Sequence, residues 1–239
     1  MEFLEVIVLG IVQGITEFLP ISSSGHLILV PELFGWEARG IGFDTMVHLA
    51  TFIAVLIVFW EDVLKMFRGV FGSKKDRQYA QLGWMIVVAT IPIVVIGLLF
   101  DDVIEFVLRT PEVVAGSLIV WGIVLGAADL MTRVRKPTIK KDTAVGWKRS
   151  IAIGFAQVLA LIPGTSRSGI TMSAGLLAGL DRKTAARFSF LLSIPAVGGA
   201  AVYVVGQAIA DGAQLFTLPL AIGFFASLIS GVLAIRFLL

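Results

Sequence analysis

The chain contains no cysteine and only two histidines, and 15% of its 239 residues are charged. The absence of cysteine excludes disulfide frameworks, thiolate metal sites and cysteine nucleophiles. Two histidines are too few for a multi-histidine zinc site. Because soluble domains carry about 25% charged residues, this chain lacks the polar surface that a soluble protein of its length needs. These absences exclude a soluble enzyme, a disordered chain and a coiled coil.

Apolar residues make up 57% of the chain, and its mean hydropathy is +0.95. Twenty-five glycines favour the close helix packing found in lipid. Five stretches have the roughly 20 mostly apolar residues that a membrane-spanning helix needs: 43–60, 80–100, 113–131, 188–209 and 215–237. The composition therefore predicts an all-α polytopic membrane protein with about five full transmembrane helices.

Two further apolar regions, 3–35 and 150–180, are each interrupted near the middle by a polar break rich in glycine, proline and serine. The breaks are Pro20–His26 and Pro163–Gly169. Since each half is too short to cross a bilayer, both regions are predicted to be re-entrant helical hairpins.

Loop charges predict the orientation of the chain. Loops 61–79 and 132–149 are rich in lysine and arginine, whereas residues 101–112 are mainly acidic. The positive-inside rule places both basic loops in the cytoplasm and the N-terminus outside. The second hairpin is flanked by basic residues and the first by acidic residues, so the two hairpins should enter from opposite faces. Topology accounts for the basic residues, so no nucleic-acid partner is predicted.

The two halves of the chain resemble each other. Gln13 to Pro20, followed by three serines, parallels Gln157 to Pro163, followed by Gly-Thr-Ser. A hairpin followed by spans, occurring twice in opposite orientation, is typical of an inverted-topology repeat, whose broken helices meet near the membrane midplane. We expect repeats at 1–131 and 150–239, joined by the loop 132–149, with the second repeat one span shorter. Both polar tips should face one pocket.

The first tip combines Gln13 and Glu17, which are four residues apart on one helix face, with serines 22–24 and His26. A carboxylate within the membrane indicates function by default. A helical turn would place the Ser23 hydroxyl beside the His26 imidazole. The alternative is that Gln13 and Glu17 hold helices together and that the serines bond to backbone carbonyls.

The second tip combines Gly164, Ser166, Arg167 and Ser168 with a following helix start. Glycine permits close approach of a ligand, helix N-termini attract anions, and arginine binds phosphate oxygens in pairs. The tip therefore predicts an oxyanion cradle. The alternative is a structural ion pair between Arg167 and Glu17. Two further candidates for the pocket wall are His48 and Gln157, although a packed, hydrogen-bonded histidine is an equally good interpretation of His48.

These motifs resemble those of the undecaprenyl-diphosphate phosphatase family, also called the bacitracin resistance protein family. The resemblance rests on Gln13-x-x-x-Glu17 with the serine–histidine signature up to His26, on Phe43–Leu49, and on the Pro-Gly-x-Ser-Arg-Ser-Gly motif at 163–169. It implies an integral membrane phosphatase that cleaves the terminal phosphate from a C55 polyprenyl diphosphate. The product is the lipid carrier for peptidoglycan synthesis, and bacitracin sequesters the diphosphate form.

The resemblance also implies site roles and a divalent cation, Mg²⁺ or Ca²⁺. Gln13 stands where some members of the family carry glutamate. Ser23 is the predicted nucleophile with His26 as its proton-handling partner; the rival assignment has His26 attack phosphorus or activate water. The expected catalytic residues are Ser23, His26 and Glu17; the expected substrate ligands are Arg167, Ser166, Ser168, Gly164, Ser22, Ser24 and Gln13; the expected metal ligands are Glu17 and Gln13.

A transporter or flippase for a phosphorylated polyprenyl lipid is the competing interpretation, because midplane broken helices are transporter architecture. A carrier needs the anion cradle but not a serine, a histidine and a carboxylate together, so hydrolysis is favoured. The expected partners are the polyprenyl diphosphate and the bilayer, and a homodimer is left open. Small residues at 173–179 could form a groove for the lipid tail, or could equally serve close helix packing.

Overall fold

The computed structural model describes residues 3–37, 40–100, 104, 108, 110–134, 137–210 and 217–239. These residues form ten α-helices, which confirms the all-α class. The helices are α1 (Phe3–Thr16), α2 (Ser23–Phe34), α3 (Ile41–Val58), α4 (Trp60–Val70), α5 (Arg77–Leu99), α6 (Pro111–Val134), α7 (Trp147–Gln157), α8 (Arg167–Leu177), α9 (Arg182–Ala210) and α10 (Leu218–Leu238).

Four of these helices, α5, α6, α9 and α10, are long and apolar enough to cross a membrane. A fifth span is obtained when α3 and α4, which are bent by 72° relative to each other, are counted together. The polytopic prediction is therefore confirmed. The expected span at 43–60 ends where this bend occurs, and α4 beyond it is amphipathic, as helices at a membrane interface are.

Both regions expected to be hairpins consist of two short helices with a turn between them. In the first, α1 has 14 residues and α2 has 12. In the second, α7 and α8 have 11 residues each. At 1.5 Å per residue none of the four reaches the roughly 30 Å of a bilayer core. The insertion of the hairpins from opposite faces stays a prediction.

Polar side chains define several helix ends. The Asp181 carboxylate accepts a hydrogen bond from the Thr184 amide at 2.8 Å and caps α9. The Thr110 hydroxyl accepts from the Val113 amide at 3.3 Å at the start of α6. Gly35 ends α2 in the left-handed conformation, with φ of 66°. These local signals explain why the helices begin and end near the positions expected from hydropathy.

Each hairpin packs against a span from the other half of the chain: α1 lies along α10, and α7 lies along α5. Glycines make both contacts possible. A Cβ on Gly10 would lie 2.5 Å from the Gly223 carbonyl oxygen, and one on Gly154 would lie 2.7 Å from Ala89 Cα. Since Gly10 and Gly154 each precede the matching glutamine by three residues, this pairing supports the predicted repeats, whose boundaries stay a prediction.

An aromatic cluster fixes the end of the first hairpin helix. The Phe18 ring, 1% exposed, meets the Phe190 ring edge-on with centroids 5.5 Å apart. The Phe59 ring contacts both Phe190 and the Arg187 guanidinium, and Arg187 bonds to Asp142 at 2.9 Å and to Asp62 at 3.0 Å. The cluster anchors the chain next to Glu17, and the ion pairs fasten the loop before α7 to α4 and α9.

Candidate active site

The Glu17 carboxylate lies at the centre of a hydrogen-bond network that joins the two hairpin tips. Its Oε2 accepts from the Ser23 hydroxyl at 2.7 Å and from Gln13 Nε2 at 3.1 Å. Its Oε1 accepts from Arg167 Nη2 at 2.8 Å, across 150 positions of sequence. The Glu17 side chain is 9% exposed and that of Arg167 is 13% exposed. The structure therefore brings four of the predicted site residues together around one buried carboxylate.

Arg167 has donors to spare beyond this ion pair. Its Nη1 donates to the Ser189 carbonyl at 3.2 Å, and its buried Nε has no hydrogen-bond partner among the described residues. Both of the alternatives considered for Arg167 thus have support: it pairs with Glu17, and it retains a donor for an anion. A guanidinium with an unused N–H suits a phosphate oxygen.

Ser166 and Ser168, expected to bind substrate, hold the two tips together. The Ser166 hydroxyl accepts from the Gly169 amide at 3.1 Å and so caps α8. The Ser168 hydroxyl donates to the Leu19 carbonyl of the first tip at 3.1 Å and lies 3.1 Å from the Ser166 hydroxyl. Both hydroxyls are therefore committed to structure in this state.

Gly164 serves a close helix contact. Its φ of 84° suits only glycine, and a Cβ there would lie 2.9 Å from Val114 Cα of α6. The absence of a side chain at Gly164 therefore allows the backbone of α6 to lie close to the second tip. Its expected role toward a ligand stays a prediction.

His26 does not pair with Ser23 in the way that the sequence predicted. The His26 Nδ1 atom lies 2.7 Å from the Ser22 carbonyl oxygen. Because a carbonyl only accepts, Nδ1 is the donor in this contact. The Ser23 hydroxyl instead donates to Glu17, since a carboxylate is the stronger acceptor. The prediction of a hydroxyl–imidazole pair is wrong for this state.

The first tip turns at Ser22, a non-glycine residue with φ of 66°. Such a conformation costs of order 1–3 kcal/mol and is concentrated at functional sites. The Ser22 hydroxyl lies 3.3 Å from that of Ser24; Ser22 is buried and Ser24 is exposed. The turn places Ser23 between them so that its hydroxyl faces Glu17.

Comparison with known proteins places the chain in a family. The family model described as "Bacitracin resistance protein BacA" matches residues 6–239. The chain belongs to this family. A protein of Chlorobium phaeobacteroides (strain BS1) named undecaprenyl-diphosphatase is 45% identical over the whole chain and 88% of its own length.

Two further relatives carry related names. The undecaprenyl-diphosphatase 2 of Stutzerimonas stutzeri (strain A1501) is 45% identical over the whole chain and 89% of its own length. The undecaprenyl-diphosphatase of Pelodictyon phaeoclathratiforme (strain DSM 5477 / BU-1) is 47% identical over 87% of this chain and 76% of its own length. The family predicted from the tip motifs is thus confirmed.

The two further candidates for the pocket wall differ in their environment. His48 lies on α3, with Nδ1 2.7 Å from the Asp44 carbonyl oxygen, as in the interpretation of a packed, hydrogen-bonded histidine. Gln157 is fully buried, and neither of its amide atoms has a partner among the described residues. No described hydrogen bond joins Gln157 to Glu17, although Gln157 matches Gln13 in the repeat.

Sequence reasoning missed two contributors to the site. The Thr165 hydroxyl is buried in the second tip without a described partner; its position between Gly164 and Ser166 was the available signal. The Ser189 carbonyl receives Arg167 Nη1, and the Ser189 hydroxyl lies 2.6 Å from that of Thr171. Nothing in the local sequence of α9 indicates this contact.

The described residues contain no group of three or more histidine, aspartate or glutamate side chains that could hold a metal ion. They do provide two oxygen-bearing side chains that contact each other. Gln13 Oε1 is buried and has no described partner. The Nε2 atom of the same amide donates a hydrogen bond to the Glu17 carboxylate. Mg²⁺ is commonly held by one or two carboxylates together with substrate phosphates, so Gln13 and Glu17 fit a cation that arrives with a diphosphate.

Proposed function

We propose that the protein hydrolyses undecaprenyl diphosphate to undecaprenyl phosphate and inorganic phosphate. The observation that carries the proposal is the shared carboxylate: Glu17 holds a serine hydroxyl at 2.7 Å and an arginine at 2.8 Å, from opposite hairpins. Phosphoryl transfer depends on a positioned nucleophile and on stabilised phosphate charge, and the two groups supply one each. The activity recycles the lipid carrier for peptidoglycan synthesis and confers bacitracin resistance.

In the first step the Ser23 oxygen attacks the terminal phosphorus and its proton passes to Glu17 Oε2. The bond from that phosphorus to the bridging oxygen breaks, and polyprenyl monophosphate leaves with the electron pair. Protonation of Glu17 neutralises the partner of Arg167, so the guanidinium charge becomes available to the phosphate as its own charge develops. The ion pair therefore couples proton removal to anion binding.

In the second step water attacks the phosphoserine. In this step His26, whose Nδ1 donates to the Ser22 carbonyl, takes the proton from the water at Nε2. The bond from phosphorus to the Ser23 oxygen breaks, the serine regains the proton held by Glu17, and inorganic phosphate leaves. The rival assignment makes the same Nε2 atom the nucleophile. A phosphorylated enzyme trapped in Ser23→Ala would support the rival and contradict the serine assignment.

We propose a divalent cation, Mg²⁺ or Ca²⁺, as the cofactor, with Gln13 Oε1 and Glu17 as the protein ligands. When bound, it would neutralise diphosphate charge. Chelation is therefore expected to abolish hydrolysis, and a rate that persists in EDTA would contradict this part of the proposal.

The multi-pass fold and the family support a bacterial plasma-membrane protein. Within it, we expect the N-terminus outside and loops 61–79 and 132–149 in the cytoplasm, as their charges predict. Thiol labelling of single cysteines introduced at Lys75 and Lys141 in intact cells tests this orientation. The homodimer left open by the sequence is tested by the mass of the particle in detergent.

The decisive experiment measures phosphate release from a C55 polyprenyl diphosphate by the purified protein in detergent, with and without EDTA. Cation-dependent release by the wild type and its loss in Arg167→Ala would support the proposal. If a folded wild-type protein binds the lipid but releases no phosphate, the result would instead favour a carrier for the same lipid. Inverted repeats with broken helices are also a transporter architecture.

A further inference from the structure

The buried side-chain polar atoms that have no hydrogen-bond partner are concentrated in the two hairpins. Among the described residues there are five such atoms: Gln13 Oε1, Thr165 Oγ1, Arg167 Nε and both amide atoms of Gln157. Because a buried polar group without a partner is costly, each such group needs an explanation. Gln157 is the extreme case, since the residue is 0% exposed and its whole amide is unpartnered. Their concentration in the hairpins indicates a ligand there.

Gln157 lies at the level of the second tip. The Arg149 Nε atom near the start of α7 donates to the Ala178 carbonyl at the end of α8 at 3.0 Å, so the two helices of this hairpin run in opposite directions. The same rise of about 12 Å along both helices from that contact brings Gln157 to the level of Ile170. Ile170 is one turn of α8 from Arg167. The Gln157 amide is therefore buried about one helix turn from the residue that pairs with the carboxylate of the site.

The matching glutamine of the first hairpin has a partner that Gln157 lacks. Gln13 Nε2 donates to the Glu17 carboxylate, four residues further along the chain, at 3.1 Å. Leu161 stands four residues after Gln157, and it offers no acceptor on its side chain. The contact that accounts for Gln13 therefore does not account for Gln157, whose amide N–H groups stay available to an anion.

The unpartnered groups of the second hairpin can all donate a hydrogen bond. They are the Gln157 amide nitrogen, the Thr165 hydroxyl and Arg167 Nε. In the first hairpin the unpartnered atom is Gln13 Oε1, which only accepts. Three donors on one side suit the oxygens of a phosphate, whereas the acceptor suits a cation. Gln157 Oε1 can also accept from the O–H of a phosphate that retains one proton.

We propose that Gln157 and Thr165 bind the terminal phosphate of the substrate together with Arg167 Nε. The inference rests on the proposed function for the identity of the ligand, because a diphosphate that reacts at Ser23 has its terminal phosphate between the two tips. Arg167 supplies the positive charge, and the amide and the hydroxyl fix the orientation of the phosphate oxygens. Gln157 is thus a substrate-binding residue, not a residue of helix packing alone.

The main test uses the absence of a partner for Gln157 among the described residues. Gln157→Met keeps the length of the side chain and removes the amide, so the melting temperature in detergent should equal or exceed that of the wild type. The Kd for inorganic phosphate, obtained from the rise of melting temperature with phosphate concentration, should increase about 10- to 100-fold. This is the effect of losing a hydrogen bond to a charged group. The control Gln207→Met, at an exposed position of α9, should change neither quantity.

Two further variants separate binding from packing. Gln13→Met removes the bond to Glu17 and should lower the melting temperature, unlike Gln157→Met. Thr165→Val removes only a hydroxyl and should raise the Kd for phosphate about tenfold at unchanged stability. An unchanged Kd in Gln157→Met would overturn the proposal, whatever the stability of that variant. If Gln157→Met loses both stability and affinity, Thr165→Val decides, and an unchanged Kd in that variant overturns the proposal.

The phosphate titration needs no turnover, so this inference and the proposed function can fail separately. Phosphate binding that depends on Gln157, in a wild-type protein that releases no phosphate from the C55 diphosphate, would refute the proposed function alone. Hydrolysis with a KM for the C55 diphosphate that Gln157→Met leaves unchanged would refute this inference alone. A wild-type melting temperature that responds to neither inorganic phosphate nor the C55 diphosphate would refute both.

Discussion

The two hairpins share a sequence motif at their tips but present different chemistry. Both tips contain Ser-x-Ser-Gly, and in both the two serine hydroxyls lie close together, at 3.3 Å for Ser22 and Ser24 and at 3.1 Å for Ser166 and Ser168. The residue between the serines is Ser23 in one tip and Arg167 in the other, and both donate to Glu17. One repeated sequence motif thus places a serine hydroxyl and an arginine guanidinium against a single carboxylate.

The difference extends to how firmly each tip is held. Ser166 adopts an extended conformation and caps α8, whereas Ser22 has a positive φ and forms no side-chain cap. In the second hairpin, α8 packs against α6 and α9, and Arg167 at its start is the proposed anion-binding residue. The first carries the carboxylate, serine and histidine on a less covered helix. Substitution of Ser23 in the first tip should therefore affect catalysis, whereas substitution of the serines Ser166 and Ser168 in the second tip should affect stability.

The largest effect is expected at Glu17, whose counterpart four residues after Gln157 is Leu161. Glu17→Gln removes the acceptor for the Ser23 proton and the partner of Arg167, so kcat should fall by about 10²–10⁴, the range for lost general-base catalysis. Phosphate release gives the measurement. Glu61→Gln on the exposed side of α4 is the control, and a Glu17→Gln enzyme within tenfold of the wild type would remove the carboxylate from the mechanism.

The next comparison sets Ser23→Ala against Ser168→Ala. Loss of the nucleophile should lower kcat by at least about 10² with little change in thermal stability. Loss of the Ser168 bond to Leu19 should cost about 1 kcal/mol of unfolding free energy with kcat within tenfold of the wild type. Thermal unfolding in detergent and phosphate release are measured on both proteins. A Ser168→Ala protein that loses activity and a Ser23→Ala protein that loses only stability would contradict the catalytic role of Ser23 and the structural role of Ser168.

Substitution of the repeat-related glycines Gly10 and Gly154 is expected to lower the stability of the protein by similar amounts in the two halves. Gly10→Val and Gly154→Val each force a side chain into the backbone of the facing helix, and each should destabilise the protein by about 1–3 kcal/mol or more. Gly122, whose Cβ position is open, provides the control Gly122→Val. Unequal effects at the two sites, measured by thermal unfolding, would argue against equivalent packing of the hairpins.

The smallest effects should have opposite signs at the two turn serines. Ser166→Ala removes the cap of α8 and should lower stability by about 1 kcal/mol. Ser22→Gly relieves a positive φ and should raise stability by up to about 1 kcal/mol. Melting temperatures test both changes, and a stabilising Ser166→Ala would contradict the capping role.

The sequence predicted the helices and hairpins well because their signals are local. Long apolar runs, polar breaks and glycine or proline positions each act within one helix length, so α5, α6, α9 and α10 lie near their expected spans. The residues of the network were also predictable, since Glu17 and Arg167 are costly inside a membrane and need a reason to be there. Spacing alone, however, suggested a bond between Ser23 and His26 that the helix turn does not form.

By itself, the sequence determined the class of protein, the two broken segments and the residue types at their tips, because hydropathy and backbone breaks are properties of short stretches. Only the tertiary structure decided which atoms meet. Arg167 reaches Glu17 across 150 positions, the Ser168 hydroxyl joins the two tips through the Leu19 carbonyl, and Gly175 of α8 packs against Ala185 of α9. These outcomes depend on which helix faces pack together, and that choice is made by the close contacts of glycines and aromatic rings from distant parts of the chain.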